Sequence, residues 1–221
     1  MKTQIFERAI VSAGTVGLLA MLLPSAAWAQ NNAWYVAGGL GASFPNDVVI
    51  TQPGTTPLTT ELDTGILATG AFGRSFDNQI FRAEAEVLYN TNDVSTLSVP
   101  GGGSATAGGD ISTLGLMVNG YYDIDTNSKW RPYIGGGIGG ANVSINSLSS
   151  LGVLIADDDT TVFAYQVKVG VAYEFTQALA GTLGYRFFAT EDADFVDLAG
   201  DAFSADGIEA HIVELGVRFR F

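Results

Sequence analysis

The chain has 221 residues, 47% of them hydrophobic and only 15% charged, with 28 glycines and a formal net charge of −13. It contains no cysteine, which excludes disulfides, thiolate nucleophiles and cysteine-ligated metals. The acidic balance excludes the basic surface that nucleic-acid binding requires.

The first segment carries Lys2 and Arg8, then an apolar run from Ile10 to Leu23, then Ala27-Trp28-Ala29. That run is about fourteen residues, short of the roughly 20 a spanning helix needs. Residues 1–29 therefore read as a cleaved secretory signal, leaving 30–221 as one domain. No later apolar stretch is long enough to span a bilayer as a helix, so the high apolar content must be carried by alternation.

Trp34 to Phe44 is the first predicted strand, followed by a long polar segment at 45–63. Gly65 to Phe76 is the second, and a short turn at Asp77-Asn78 leads to the third, Ile80 to Tyr89. There Phe81, Ala83, Ala85, Val87 and Tyr89 alternate with Arg82, Glu84 and Glu86, the period of a strand with unlike faces. A long segment at 91–110 precedes two weaker strands, Ile111 to Ile124 and Tyr133 to Ile145, joined by a short connection from Asp125 to Arg131. In Gly135 to Gly140 glycine removes the contrast and leaves open which parity faces outward. Those glycines permit close packing or bending rather than a phosphate cradle, since neither a helix pattern nor Lys-Ser/Thr follows them.

A third long segment at 147–160 precedes Thr161 to Phe175, where Phe163, Tyr165, Val167, Val169, Val171, Tyr173 and Phe175 oppose Gln166, Lys168 and Glu174. Thr176-Gln177 turns the chain into Ala178 to Thr190, and the last long segment covers 191–206. The final strand sets Val213, Leu215, Val217, Phe219 and Phe221 against Glu214, Gly216, Arg218 and Arg220. Eight strands joined alternately by long and short connections predict an all-β fold: a closed eight-stranded antiparallel up-and-down transmembrane β-barrel of the cell outer membrane, long loops outside. A soluble up-and-down barrel is the rival, and it predicts apolar residues inside and charges outside.

If the apolar parity faces lipid, the opposite parity carries its charges inward. An eight-stranded lumen is only wide enough to be filled by side chains. Arg82, Glu84, Glu86, Lys168, Arg186, Glu214 and Arg218 thus form the candidate lumen charge network, with Asp123, Glu174 and Arg220 on the same parity. Glu84, Glu86, Lys168, Arg186 and Glu214 are expected to meet near mid-height and close the barrel. Two girdles of aromatics are predicted, one around Trp34, Phe72, Phe81 and Tyr122, the other around Phe44, Tyr89, Phe163 and Tyr185. Arg74, Lys129 and Arg131 are expected at the periplasmic end.

The four long segments hold most of the acids and no lysine or arginine. Their outward face should favour cations or basic surface partners and repel nucleic acid. Asp157, Asp158 and Asp159, with Glu191, Asp192 and Asp194, are weak candidates for calcium or magnesium, although neither run has EF-hand spacing. A solvated acidic loop, bridged loosely to lipid phosphates by divalent ions, is the plainer reading. No cofactor is expected.

Asn119-Gly120-Tyr121-Tyr122-Asp123, Pro132-Tyr133-Ile134-Gly135-Gly136-Gly137, Leu183-Gly184-Tyr185-Arg186-Phe187 and the terminal phenylalanine occur in that order along the chain. This pattern resembles the small outer-membrane β-barrel family of opacity-type porins and bacterial surface antigens, related in architecture to the OmpA and OmpX barrels. The resemblance implies insertion by the outer-membrane assembly machinery, reading a final strand through Val217, Phe219 and Phe221. It also implies loops with roles in adhesion, host contact or envelope integrity. The cell-wall-binding domain of longer OmpA-like proteins is not expected after Phe221.

Three functions fit this pattern: a structural and surface-interaction scaffold with acidic loops, a narrow cation-preferring porin, and a lipid-modifying membrane enzyme. The last needs a nucleophile with a general base. His211 is the single histidine, it shares the lipid-facing parity, and Val213 rather than serine follows two residues on, so no enzyme is expected.

Overall fold

The computed structural model describes residues 34–51, 57–76, 79–98, 103–150, 153–196 and 202–221. The signal segment 1–29 and the Asp77-Asn78 turn lie outside the described residues.

The described residues form twelve strands: β1 Trp34–Pro45, β2 Val48–Thr51, β3 Leu58–Leu62, β4 Gly65–Phe76, β5 Phe81–Ser98, β6 Ser104–Asp123, β7 Trp130–Ser150, β8 Val153–Glu174, β9 Leu179–Thr190, β10 Ala193–Val196, β11 Ala202–Ala205 and β12 Glu209–Arg220. Eight of them form a ring in the order β1, β4, β5, β6, β7, β8, β9, β12, every pair antiparallel. β12 returns to β1 through an unbroken register from Tyr35↔Arg220 to Pro45↔Ala210, which closes the barrel. Closure leaves no edge, so each backbone N–H and C=O in the ring finds a partner without water.

Outside the ring the residues are apolar. Leu40, Ile66, Leu116, Val118 and Leu215 are 64–66% exposed, and they belong to a continuous belt. A soluble protein does not show an apolar face of that extent to water, and the inverted placement rejects the soluble rival. The belt is bounded by aromatics at both ends. Trp34 stacks on Phe72 at 5.1 Å, Phe81 lies 5.4 Å from Tyr122, and Trp130 lies 4.7 Å from Tyr173 at one end. Phe44, Tyr89, Phe163 and Tyr185 mark the other.

In one respect the barrel differs from expectation. The long segments are not plain loops. β5 to β8 have 18, 20, 21 and 22 residues, against 12 in β1, β4, β9 and β12. A crossing strand needs only about 9–11 residues, so β7 and β8 run roughly ten residues past the membrane. The short strands β3, β2, β11 and β10 continue the wall beside them, pairing in that order from β5. Each is separated from a ring strand by two or three residues, as at Asn46-Asp47 and Asp63-Thr64.

Polarity changes sides where this outer storey begins. On β8 the exterior parity runs Val167, Tyr165, Phe163, then Thr161 and Asp159; on β5 it runs Val87, Tyr89, then Thr91 and Asp93. Inside, Val48, Val94, Ile111, Val143, Ile145, Ala193, Ala205 and Ile208 pack as one apolar core. Above the membrane the chain thus has an apolar inside and a polar outside. That core explains why polar-looking segments fold: each strand contributes one or two apolar side chains, and the hydrogen-bond ladder continues from below.

Candidate functional site

Period-two alternation aims the charged residues of five strands into the lumen. Arg82, Glu84 and Glu86 stand on one face of β5; Asn119, Tyr121 and Asp123 answer them from β6, Gln166 and Lys168 from β8, Arg186 from β9, and Glu214, Arg218 and Arg220 from β12. All but Glu214 are buried.

The upper part of this layer centres on Glu86. It accepts hydrogen bonds from Lys168 Nζ at 2.5 Å, Gln166 Nε2 at 2.9 Å, and both Nη atoms of Arg186 at 3.0 Å. Arg186 also donates to Glu214 Oε2 at 2.6 Å and 3.1 Å and to Gln166 Oε1 at 2.9 Å. Thr69 Oγ1 donates to the other oxygen of Glu214 at 3.2 Å. Two acids and two bases therefore share one connected network, the form in which buried charge is tolerated.

Glu84 joins that group through neutral side chains, since the Tyr121 hydroxyl accepts from Lys168 Nζ at 3.0 Å and Asn119 Oδ1 accepts from Gln166 Nε2 at 2.6 Å. It is held by Tyr35 and Tyr121 hydroxyls at 3.0 and 2.9 Å and by Asn119 Nδ2 at 3.2 Å, while its nearest cation, Arg82 Nη1, is 3.9 Å away. Lower still, Arg82 grips Asp123 through Nε at 2.6 Å and Nη2 at 3.0 Å, and its guanidinium lies 4.1 Å over the ring of Tyr121. At the periplasmic mouth Glu174 Oε1 meets Arg220 Nη2 at 2.9 Å and Arg131 Nε at 3.1 Å.

Arg131, at the periplasmic end with Arg74 and Lys129, lies on a strand and not on the short connection that follows Asp125: β7 begins at Trp130 and sets Trp130 outward and Arg131 inward, toward Glu174. Arg74 remains outside, between the rings of Trp34 and Phe76 at 5.2 and 5.3 Å. Tyr35, Tyr121 and Tyr133, which the sequence reading did not place in the lumen, point inward. The signal was available in the pairs Trp34-Tyr35 and Tyr121-Tyr122, since neighbours on a strand must face opposite sides.

Glycine makes room for these side chains. Ile134 and Ile138 face out, so Gly135, Gly137 and Gly139 face in, and a Cβ at Gly135 or Gly137 would collide with Tyr121 or Asn119. The side chains enclose a cavity of about 60 Å³ between Arg82, Tyr133, Thr182, Glu214 and Arg218. Above the charge layer Leu67, Leu88, Met117, Ala141, Ala164, Phe188, Ala210 and Ile212 fill the lumen. Both parities are apolar at this height.

Of the metal candidates, the side chains of Asp157 and Asp158 lie outside the described residues. Asp159 accepts from Asn142 Nδ2 at 3.0 Å and Asp192 from the backbone N–H of Gly207 at 3.0 Å. Among the described residues no three acidic or histidine side chains converge as a metal site. His211 faces outward, its Nδ1 2.6 Å from the Tyr185 hydroxyl, with Phe187 beside it. Val217 is exposed on β12, and Phe221 N donates to Trp34 O at 3.0 Å where that strand meets β1.

Residues 15–221 match the family model of the outer membrane protein beta-barrel domain. Major surface antigen 4 of Anaplasma marginale is 30% identical over 51% of this chain and 40% of its own length. A Rickettsia bellii protein that carries the name of an adhesin is 22% identical over 86% of this chain and 88% of its own. Against the first relatives the chain thus spans under half of their length. Among solved structures, OprG from Pseudomonas aeruginosa superposes with a TM-score of 0.59 at 16% identity, covering 86% of this chain and 96% of that one. Neisserial surface protein A gives 0.56 at 18% identity, covering 86% and 98%. At such identities the likeness is one of fold.

Proposed function

Because the chain belongs to the outer membrane protein beta-barrel domain family and is a protein of the cell outer membrane, we propose that it is a structural and surface-interaction scaffold presenting an acidic outer storey beyond the lipid. The filled lumen carries this reading: a layer of ion pairs lies beneath a layer of apolar side chains. A barrel so packed offers its outside, and not its bore, to partners.

Asp47, Glu61, Asp63, Asp93, Glu191 and Asp194 are exposed on the outer storey. That surface suits basic partners, or divalent cations shared with lipid phosphates, and opposes nucleic acid. Relatives named as surface antigen and adhesin support a role in contact at the cell surface. The strand through Val217, Phe219 and Phe221 is the segment we assign to recognition by the assembly machinery. It is the strand that closes onto β1.

A narrow cation-preferring pore is the second reading, favoured by the cavity beside Glu84, Glu86 and Glu214. Single-channel conductance of the refolded protein in a planar bilayer distinguishes the two. The scaffold reading expects silence from the native protein and steps from a Lys168→Ala, Arg186→Ala double variant. Stable cation-selective steps in the native protein would transfer the assignment to the pore. We read the protein as non-enzymatic: His211 faces lipid beside Tyr185, and His211→Ala should leave surface binding unchanged.

A further inference from the structure

The lipid-facing belt is not evenly filled. Across β4, β5 and β6 it carries an open groove of about 580 Å³, walled by Phe72, Val87, Leu116 and Val118 with Gly70 and Ala85 between them. A Cβ built on Gly70 meets nothing within 4 Å, so the floor there is bare strand backbone. The depression continues toward the periplasmic end. Ala83 lies two residues from Ala85 on the same exposed face, its register partner on β6 is Gly120, and a Cβ at Gly120 also meets nothing within 4 Å.

At the foot of this groove stands a cation. Of the basic residues on the described ring strands, Arg74 alone faces outward. It is the register partner of Ala83, and therefore the diagonal neighbour of Ala85 at about 7–8 Å. The rings of Trp34 and Phe76, at 5.2 and 5.3 Å, hold its guanidinium at the aromatic girdle. Among the described residues Arg74 makes no ion pair. Glu84, whose register partner Gly73 precedes Arg74, points into the lumen.

A guanidinium fork matches a phosphate through two charge-assisted hydrogen bonds, whereas the groove above it matches only hydrocarbon. A molecule with an anionic head and an apolar chain satisfies both at once. A second copy of the chain fits less well: the described ring strands present no acid outward below the outer rim, so it would leave Arg74 without a counter-charge. For the same reason nothing there receives the ammonium of a zwitterionic headgroup.

We propose that Arg74 and the groove across β4 to β6 bind one anionic glycerophospholipid of the periplasmic leaflet, its phosphate on the guanidinium and one acyl chain between Phe72 and Val118. The site stands whether or not the barrel conducts, and whatever the outer storey binds.

The test is native mass spectrometry of the full chain refolded into vesicles of equal phosphatidylglycerol and phosphatidylcholine, then released from detergent. One phosphatidylglycerol should stay bound per chain. Arg74→Gln should lower the retained fraction about fivefold, the contribution of one arginine near an anionic lipid surface. Gly70→Leu, which fills the groove and leaves the cation, should at least halve it. Leu183→Ala, an exposed belt position on β9 across the ring, should change nothing. Equal retention of the two lipids, or undiminished retention in Arg74→Gln or Gly70→Leu, would overturn the site, as would a lipid-free mass of two chains. Should Arg74→Gln fail to refold, Trp34 decides, in a chain whose Trp28 and Trp130 are replaced by phenylalanine. Stronger quenching of its fluorescence by chain-brominated phosphatidylglycerol than by chain-brominated phosphatidylcholine supports the proposal, and equal quenching defeats it.

Discussion

Arg186 is the residue whose loss should be felt most in the lumen. It is 1% exposed and bridges two carboxylates, at 3.0 Å to Glu86 and 2.6 Å to Glu214. Removing one partner of a buried ion pair costs about 3–5 kcal/mol. Glu86 would keep Lys168 and Gln166, and the Glu214 side chain is 20% exposed with Thr69 still bonded to it. The lower end of the range therefore applies, and Arg186→Met should cost about 3 kcal/mol, roughly a hundredfold in the ratio of folded to unfolded protein. Glu86→Gln alone should cost a similar amount. Together they remove one charge of each sign and leave Lys168 and Glu214 as one cation and one anion, so the double variant should cost at least about 1 kcal/mol less than the sum. Urea unfolding in lipid vesicles, followed by the fluorescence of Trp34 and Trp130 in the lower girdle, measures all four corners of the cycle. Additivity within about 0.5 kcal/mol would refute the idea that these side chains act as one network.

Other elements give sharper contrasts. Leu215 lies mid-belt and is 65% exposed, so Leu215→Arg should lower stability in vesicles by about 2–4 kcal/mol, whereas Thr161→Arg at the outer rim should cost about 1 or less; equal costs would contradict the assigned membrane position. At Gly137 a Cβ would strike Asn119, while at Gly120 it would meet nothing within 4 Å. Gly137→Ala should therefore cost about 1–3 kcal/mol by urea titration and Gly120→Ala almost nothing. Ile145 is 3% exposed in the core of the outer storey. Ile145→Asn should expose 91–110 and 147–160 to an Asp- or Glu-directed protease while the mass of the membrane part stays protected; uniform digestion would show that the two storeys do not fold separately.

The exterior was legible because lipid and lumen impose opposite demands on neighbouring residues. Wherever one parity carried charge, as in Arg82-Ala83-Glu84-Ala85-Glu86, the period named both faces. The upper lumen was not legible for the same physical reason. Leu88 and Met117 face inward beside outward Val87 and Leu116, and apolar residues on both faces erase the contrast. The outer storey was hidden differently. Its added strands have only four or five residues each, too few to show a period, and the core contributions, such as Val48 and Val94, come from segments far apart in the chain. Which cations were satisfied was also beyond reach of the pattern: parity puts Arg82 and Arg218 on the same side, but only the register decides that Asp123 goes to Arg82.

The charge asymmetry of the outer storey has a covalent consequence. Segments 45–63, 91–110, 147–160 and 191–206 contain neither lysine nor arginine. Proteases of the trypsin type, which cleave after those residues, find no scissile bond in them, folded or unfolded. The part of the protein that projects furthest into the surroundings is therefore indifferent to a whole class of hydrolases by composition alone. Arg74, Lys129 and Arg131, where such an enzyme could cut, lie at the other end of the strands, behind the membrane.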